Sequence, residues 1–169
     1  MWNIHCPQVE TAQEAAEIVA ATRYSPRGSR GMAGLGPATD FETRLSPAER
    51  RAFANEQVFV TVLLETERAF DELDAIAAMD GIDALTLGPA DLAQDMGVFG
   101  TPDQSRALDE KRDLILAAAR KHGKTVSMLV TSAEQARQWK EAGALLLVYQ
   151  SDVEVLHTGF SHAMAKLRA

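Results

Sequence analysis

Five short, mostly apolar segments, each followed by a stretch of helical periodicity, restrict the fold of this chain more than any other feature. The apolar segments lie at residues 2–9, 58–64, 83–87, 125–130 and 144–150. Helical patterns follow them at residues 11–22, 66–79, 101–123 and 132–142, and from Asp152 onwards. Buried strands that alternate with helices are typical of a parallel sheet covered by helices. The pattern allows either an open, flavodoxin-like sheet or part of a barrel.

Local signals set several helix boundaries. Thr11 and Glu14 have the spacing of a capping box, and Ser46 begins a further short helix at its N-cap. Residues 25–46 and 88–101 are predicted to be loops. The apolar side of the last helix consists of Leu156, Phe160, Ala163, Met164 and Leu167. Because we find no linker, repeat or low-complexity segment, we expect residues 1–169 to form a single domain.

The composition excludes several classes of function. The chain has 169 residues, of which 46% are apolar and 24% charged, as in ordinary globular proteins. Its net charge of −7 argues against a nucleic-acid or membrane-surface partner, and no segment resembles a signal peptide or a membrane span. We therefore expect a soluble, cytoplasmic protein. The basic segment 23–31 is a local exception, which we interpret as a structural loop.

Two carboxylates follow two of the predicted strands. Glu65 ends the strand at 58–64, and Asp91 lies just after the Gly-Pro turn that ends the strand at 83–87. The carboxyl ends of parallel strands form the active-site edge of such sheets, and neighbouring strands lie about 4.8 Å apart. The two side chains could therefore bind one hard divalent cation. Acidic residues are also common at helix starts, so capping is the alternative explanation.

Three longer motifs resemble one enzyme family. They are "PQVETAQEAAEIVAATRYSPRGSRG", "ETERAFDELDAIAAMDGIDALTLGPADLAQDMG" and "GKTVSMLVTSAEQARQWKEAGALLLVYQSDVEVL". Together they resemble the class II pyruvate aldolases of the HpcH/HpaI aldolase/citrate lyase family. The resemblance implies a TIM-barrel-derived α/β fold, with five βα units forming a partial or partner-completed barrel. It also implies a homo-oligomer, and it favours the metal site over capping.

The same resemblance assigns roles to individual residues. Glu65 and Asp91 correspond to the two metal-binding carboxylates, and the metal would be Mg²⁺ or Mn²⁺. Ala90 and Asp91 correspond to the backbone amides that hold the substrate carboxylate, and Gly88 to the tight turn beside them. The implied reaction is the cleavage or formation of a carbon–carbon bond of a 2-oxo acid such as pyruvate or oxaloacetate.

The sequence departs from the family pattern in length and in the site. It begins at what resembles the fourth strand, so the family's base histidine and its arginine have no counterparts and the catalytic residues are unknown. We interpret His5 as a packed or hydrogen-bonded histidine of a core strand. Leu63 occupies the position of a glutamine that contacts substrate, while Ser127 and Gln150 replace glycines. These departures leave open a second hypothesis, a non-catalytic module that binds a small acid or a protein.

Overall fold

One parallel sheet forms the centre of the molecule. The computed structural model describes residues 3–34, 36, 39, 41 and 43–168. Within them, five strands follow one another across the sheet in chain order, each pairing in parallel with the next. They are β1 (Asn3–Cys6), β2 (Phe59–Leu64), β3 (Ala84–Leu87), β4 (Thr125–Val130) and β5 (Leu146–Tyr149). The sheet curls into half of a barrel. The sequential order rejects the flavodoxin-like alternative, in which the first two strands exchange places.

Helices follow every strand. Over the described residues they are α1 (Ala12–Thr22), α2 (Pro47–Gln57), α3 (Glu67–Asp71), α4 (Leu73–Ala78), α5 (Pro89–Asp95), α6 (Gln104–His122), α7 (Ala133–Ala142) and α8 (Asp152–Arg168). The predicted capping box of α1 is present, because Thr11 and Glu14 each accept a hydrogen bond from the other's backbone N–H. Ser46 and Glu49 form the same arrangement at α2. These local signals therefore identified both helix starts.

Two predictions of secondary structure were wrong. The helix predicted at 66–79 is divided at Glu72, whose carboxylate Oε2 accepts a hydrogen bond from the Ala12 backbone N–H at 2.8 Å. The predicted loop 88–101 contains α5, which begins at Pro89 and is followed by Gly97 at φ 68°. Proline at the first position and glycine beyond the last are ordinary signals of helix ends, so this helix was detectable from the sequence.

The two faces of the sheet have different surroundings. Side chains that alternate along the strands on the convex face pack against the helices and form the core. This set includes Val60, Val62, Leu64, Leu85, Leu87, Val126, Met128 and Val130. Strand register places the alternate residues on the concave face, which would be the interior of a closed barrel. The active-site edge predicted from the sequence is the rim of this concave face.

One side-chain environment differs from the sequence-based interpretation. His5 lies in β1, as predicted, but it is exposed on the concave face and is not a packed core histidine. Helix α8 has no buried residue, so its apolar side, which includes Phe160, is exposed. Trp139, in contrast, is buried on α7.

Candidate active site

Glu65 is a buried carboxylate at the carboxyl end of β2. Only 5% of its surface is exposed, and its Oε1 accepts a hydrogen bond from the Gln8 backbone N–H at 2.7 Å. Burying a carboxylate is costly unless hydrogen bonds compensate for the lost water. Its second oxygen, Oε2, accepts no hydrogen bond from the described residues, yet it is not fully buried. Glu65 therefore has one oxygen fixed by the backbone and one that remains available to a ligand.

Gly88 provides the space in which this carboxylate lies. A Cβ atom at Gly88 would collide with Oε2 of Glu65 and would lie 2.7 Å from its Cβ. The Gly88 φ angle is −89°, so the requirement for glycine is steric and does not come from a left-handed backbone. Gly88 is also the N-cap residue of α5, and its N–H donates to the Leu64 carbonyl at 3.2 Å. The turn after β3 is thus packed directly against the carboxylate that ends β2.

We expect Gly88→Ala to destabilise the protein by about 1–3 kcal/mol, because the added methyl group must displace the Glu65 side chain. Urea unfolding measures this change. Gly159→Ala is the matched control, since a Cβ there meets no atom within 4 Å and alanine favours the α8 helix. Equal loss of stability in the two variants would contradict the proposed steric role of Gly88.

Asp91 lies in the first turn of α5, three residues after the N-cap. Glu14 and Glu49 occupy the same position of α1 and α2, and both accept the backbone N–H of their N-cap residue. The pKa of Glu14 is lowered chiefly by the Glu10 backbone N–H and then by Thr11, and the pKa of Glu49 is lowered by the Ser46 hydroxyl and then by the Ser46 backbone N–H. Asp91 is exposed and accepts no hydrogen bond from the residues that the structure describes. A hydrogen-bonded cap therefore does not account for Asp91, although the positive end of the helix dipole favours a carboxylate there.

The other predicted substrate-binding residues lie nearby in the chain but differ in environment. Leu63 is half-buried on the concave face, two residues before Glu65. Ala90 is exposed in the first turn of α5, where backbone N–H groups have no partner within the helix. Gln150, for which the resemblance implies a glycine, has a φ angle of 42°. That left-handed conformation is unfavourable for glutamine and explains why glycine suits this position.

The donor set fits a hard divalent ion held by few protein groups. Glu65 and Asp91 each offer carboxylate oxygen without a competing hydrogen bond, and Mg²⁺ is commonly held by one or two carboxylates plus water and substrate. In the described part of the chain, no group of three or more His, Cys, Asp or Glu residues could hold a metal. A site here would therefore depend on these two side chains.

The histidines lie away from this rim. His5 is in register with Thr61, four residues before Glu65 on the same face, which is about 13 Å along the strand direction. His122 is the last residue of α6, and its ring Nε2 lies 2.8 Å from Oδ1 of Asp74. His157 and His162 are exposed on α8. Among the described residues, none of these histidines is positioned as a base beside Glu65.

Two contacts were not foreseen from the sequence. The backbone N–H of Gln8 holds Glu65 across 57 residues of chain, and no sequence signal marks it. Arg23, in the segment interpreted as a structural loop, is 3% exposed and donates to the carbonyl of Val58 at 2.7 Å. It also forms an ion pair with Asp83 at 3.4 Å. Arg23 stabilises the amino ends of β2 and β3, opposite the rim that carries Glu65.

Comparison with known proteins identifies the lineage of this half-barrel. The family model for HpcH/HpaI aldolase/citrate lyase matches residues 1–158. The chain belongs to this family. A 5-keto-4-deoxy-D-glucarate aldolase of Salmonella arizonae is 36% identical over 161 residues, which are 94% of this chain and 60% of that protein. The chain thus spans about three-fifths of the length of such HpcH/HpaI relatives.

Solved structures of the HpcH/HpaI family share the fold. An HpcH/HpaI aldolase from Desulfitobacterium hafniense superposes with a TM-score of 0.89 at 27% identity, over 98% of this chain and 63% of that one. A family protein from Burkholderia cenocepacia gives a TM-score of 0.84 at 36% identity, over 99% of this chain and 65% of that one. These similarities support the barrel-derived architecture. Within the described residues, no helix is long and apolar enough to cross a membrane.

Proposed function

We propose that this protein is a divalent-metal-dependent carbon–carbon lyase, of the aldolase or decarboxylase type, that acts on a pyruvate-like 2-oxo acid. Glu65 and Asp91 would hold the metal, Mg²⁺ or Mn²⁺. The observation that supports this most strongly is the buried Glu65, which has one oxygen fixed by Gln8 and the other free at the rim. The aldolase relatives, similar over nearly the whole chain, support the reaction class.

Each part of the rim has a role in this proposal. When bound, the metal would polarise the 2-oxo group and stabilise the negative charge that develops when the carbon–carbon bond breaks. Glu65, held in one orientation by the Gln8 N–H, would keep its free oxygen directed at the ligand site. The first-turn amides of Ala90 and Asp91 would donate to the substrate carboxylate. Gly88 would let that carboxylate approach the backbone closely.

We expect Mn²⁺ to bind the wild-type protein with one ion per chain and Asp91→Ala to bind it at least tenfold more weakly. The substitution removes one of the two carboxylates that would hold the ion, and no group of three or more His, Cys, Asp or Glu residues in the described part of the chain offers another site. Isothermal titration calorimetry measures both affinities. Asp113→Ala, which removes an exposed carboxylate on α6, is the control and should bind as the wild type does. Equal affinity of Asp91→Ala and the wild type would reject this site.

A second candidate function is a non-catalytic module that binds a small acid or a protein. Two observations favour it: Leu63 offers no hydrogen bond where the family pattern has a glutamine, and no described histidine lies beside Glu65. Such a module would bind an oxo acid or its metal complex without turning it over. Turnover therefore distinguishes the two candidates.

A further inference from the structure

A cavity of about 290 Å³ lies at the amino ends of β2, β3 and β4, at the opposite end of the sheet from the proposed metal site. Its lining includes three cationic side chains, Arg23, Arg27 and Lys124, and two carboxylates, Asp80 and Asp83. Three positive and two negative charges give this lining a formal net charge of +1, whereas the chain as a whole carries −7. The proposed lyase reaction uses none of these five side chains.

The two carboxylates differ in how firmly they are held. Asp83 accepts the Val60 N–H at 2.7 Å and pairs with Arg23 at 3.4 Å, so its charge is already engaged at the strand ends. The Asp80 side chain is 98% exposed and lies 3.9 Å from Arg27. Exposed ion pairs of this kind are weak, because water screens them. Asp80 can therefore turn towards solvent and leave Arg27 to another anion.

Lys124 has a donor that its protein partners do not use. Its ammonium group donates to the carbonyls of Met79 and Ile82 at 2.7 Å and 2.8 Å, and it forms no ion pair with the described residues. An ammonium group has three N–H donors, so one remains for a ligand. Because Lys124 already occupies these two carbonyls, a cation in the cavity would lack their oxygens as ligands.

Two further donors in residues that line the cavity have no acceptor. Arg23 is 3% exposed, and its Nη1 and Nη2 donate to the carbonyls of Val58 and Gly81, but its Nε is buried without a partner. Gly81 is buried, and its backbone N–H donates no hydrogen bond to the described residues. Nearly all buried polar groups in native proteins are paired. This end of the sheet therefore has more donors than acceptors.

We propose that the cavity binds an oxyanion of the phosphate type, either free phosphate or the phosphate group of a monoester. Arg27 and Lys124 would donate to its oxygens, and the buried charge of Arg23 would add to the positive potential. The donors belong to three separate parts of the chain: the loop after α1, the turn before β3 and the turn after α6. Such a distribution suits a tetrahedral anion, whose oxygens point in several directions, better than a planar carboxylate.

The proposal gives the basic segment 23–31 a second role besides that of a structural loop, and it does not depend on the metal site. Arg27 belongs to this segment, is about half-exposed and has only the weak contact with Asp80 as an ion pair among the described residues. A cation held near a cavity without a close counter-ion is available to a ligand.

The test titrates inorganic phosphate into the purified chain in metal-free buffer of constant ionic strength. We expect isothermal titration calorimetry to show one phosphate per chain, and the melting temperature to rise with phosphate concentration, because a ligand of the folded state stabilises it. In nitrogen–proton correlation NMR spectra the amide signals of Gly81 and Lys124 should shift, and those of Ala90 and Asp91 should not. Acetate should bind about tenfold more weakly.

A phosphomonoester, glycerol phosphate, distinguishes the two sources of the anion. Tighter binding of glycerol phosphate than of inorganic phosphate would support a monoester as the ligand. Equal or weaker binding would support free phosphate.

Two substitutions should change the affinity for phosphate in opposite directions. Arg27→Met removes a cation and should weaken binding about tenfold, while the melting temperature without phosphate stays near that of the wild type. Asp80→Asn removes a negative charge beside Arg27 with little change of shape and should strengthen binding about fivefold. Arg137→Met makes the same change as Arg27→Met at an exposed position on α7, and it should leave the affinity unchanged.

Four outcomes would overturn the proposal. The first is that phosphate shows no saturable binding. The second is that the shifted amides lie around Glu65 and Asp91, because the anion would then occupy the rim. The third is that Arg27→Met and Asp80→Asn both bind phosphate as the wild type does. The fourth is that acetate binds as tightly as phosphate. Failure of Mn²⁺ binding alone would count against the proposed metal site and leave this cavity unaffected.

Discussion

Replacing Glu65 with glutamine is expected to reduce metal-dependent oxaloacetate decarboxylation by about 10²–10³-fold, the usual cost of removing one electrostatic contribution to a transition state. Glutamine keeps the shape of the side chain and can still accept the Gln8 N–H through its amide oxygen. It loses the negative charge that would hold a divalent cation. The variant therefore tests the effect of the Glu65 charge while keeping the packing of the side chain.

Oxaloacetate decarboxylation suits this chain because it requires little acid–base catalysis. The leaving group is CO₂, so no side chain has to remove a proton from substrate in the bond-breaking step. This matters because no described histidine lies beside Glu65. The rate of pyruvate formation with added Mn²⁺ or Mg²⁺ is the measurement.

Glu56→Gln is the matched control for this experiment, because it makes the same chemical change at an exposed position on α2. It should retain wild-type turnover. Absence of metal-dependent turnover in the wild type would favour the non-catalytic module. Turnover that persists unchanged in Glu65→Gln would reject the proposed role of Glu65.

Replacing Arg23 with methionine is expected to lower the free energy of unfolding by about 3 kcal/mol. Arg23 is 3% exposed and donates to the carbonyls of Val58 and Gly81, as well as pairing with Asp83. Removing one partner of a buried ion pair costs about 3–5 kcal/mol. Because the Asp83 side chain is one-third exposed, we expect the lower end of that range.

The physical reason lies in what the substitution leaves behind. Asp83 also accepts the Val60 N–H at 2.7 Å, so its carboxylate stays fixed near the sheet without its cation. The carbonyls of Val58 and Gly81 lose the Arg23 donor in the same substitution.

Urea unfolding measures the change in the free energy of unfolding, and Arg27→Met is the control. Arg27 makes a 3.9 Å ion pair with the exposed Asp80, so its loss should cost less than about 1 kcal/mol. Similar costs for the two variants would contradict the structural role of Arg23.

Much of the fold could be predicted from the sequence because its signals are local. The capping residues Thr11 and Ser46 begin their helices as expected, and the apolar runs form the strands. The apolar run at 58–64 also predicted that Glu65 lies at the end of a strand. The fold family and the partial barrel, predicted by resemblance, are confirmed by the family match and the solved relatives. The roles of Glu65, Leu63, Gly88, Ala90 and Asp91 in substrate or metal binding stay predictions.

Other features depended on contacts between distant parts of the chain. The break between α3 and α4 occurs where Glu72 reaches the start of α1, and no periodicity within 66–79 reveals it. His5 has the sequence context of a core strand, but its burial depends on what covers the concave face. The hydroxyls of Thr61, Thr86 and Ser127 are buried without a hydrogen-bond partner among the described residues, and no sequence pattern marked them, since serine and threonine occur on either face of a strand.

The sequence by itself determined the order of the strands, the caps of the first two helices and the position of Glu65 at a strand end. These properties depend on hydrogen bonds and apolar periodicity within a few residues of chain. Only the tertiary structure decided that Gln8 fixes Glu65, that Gly88 makes room for it and that the helices pack against the convex face of the sheet. Those features depend on which strands pair in the sheet and on which face of it the helices cover. Neither can be predicted from residues that are close together in the chain.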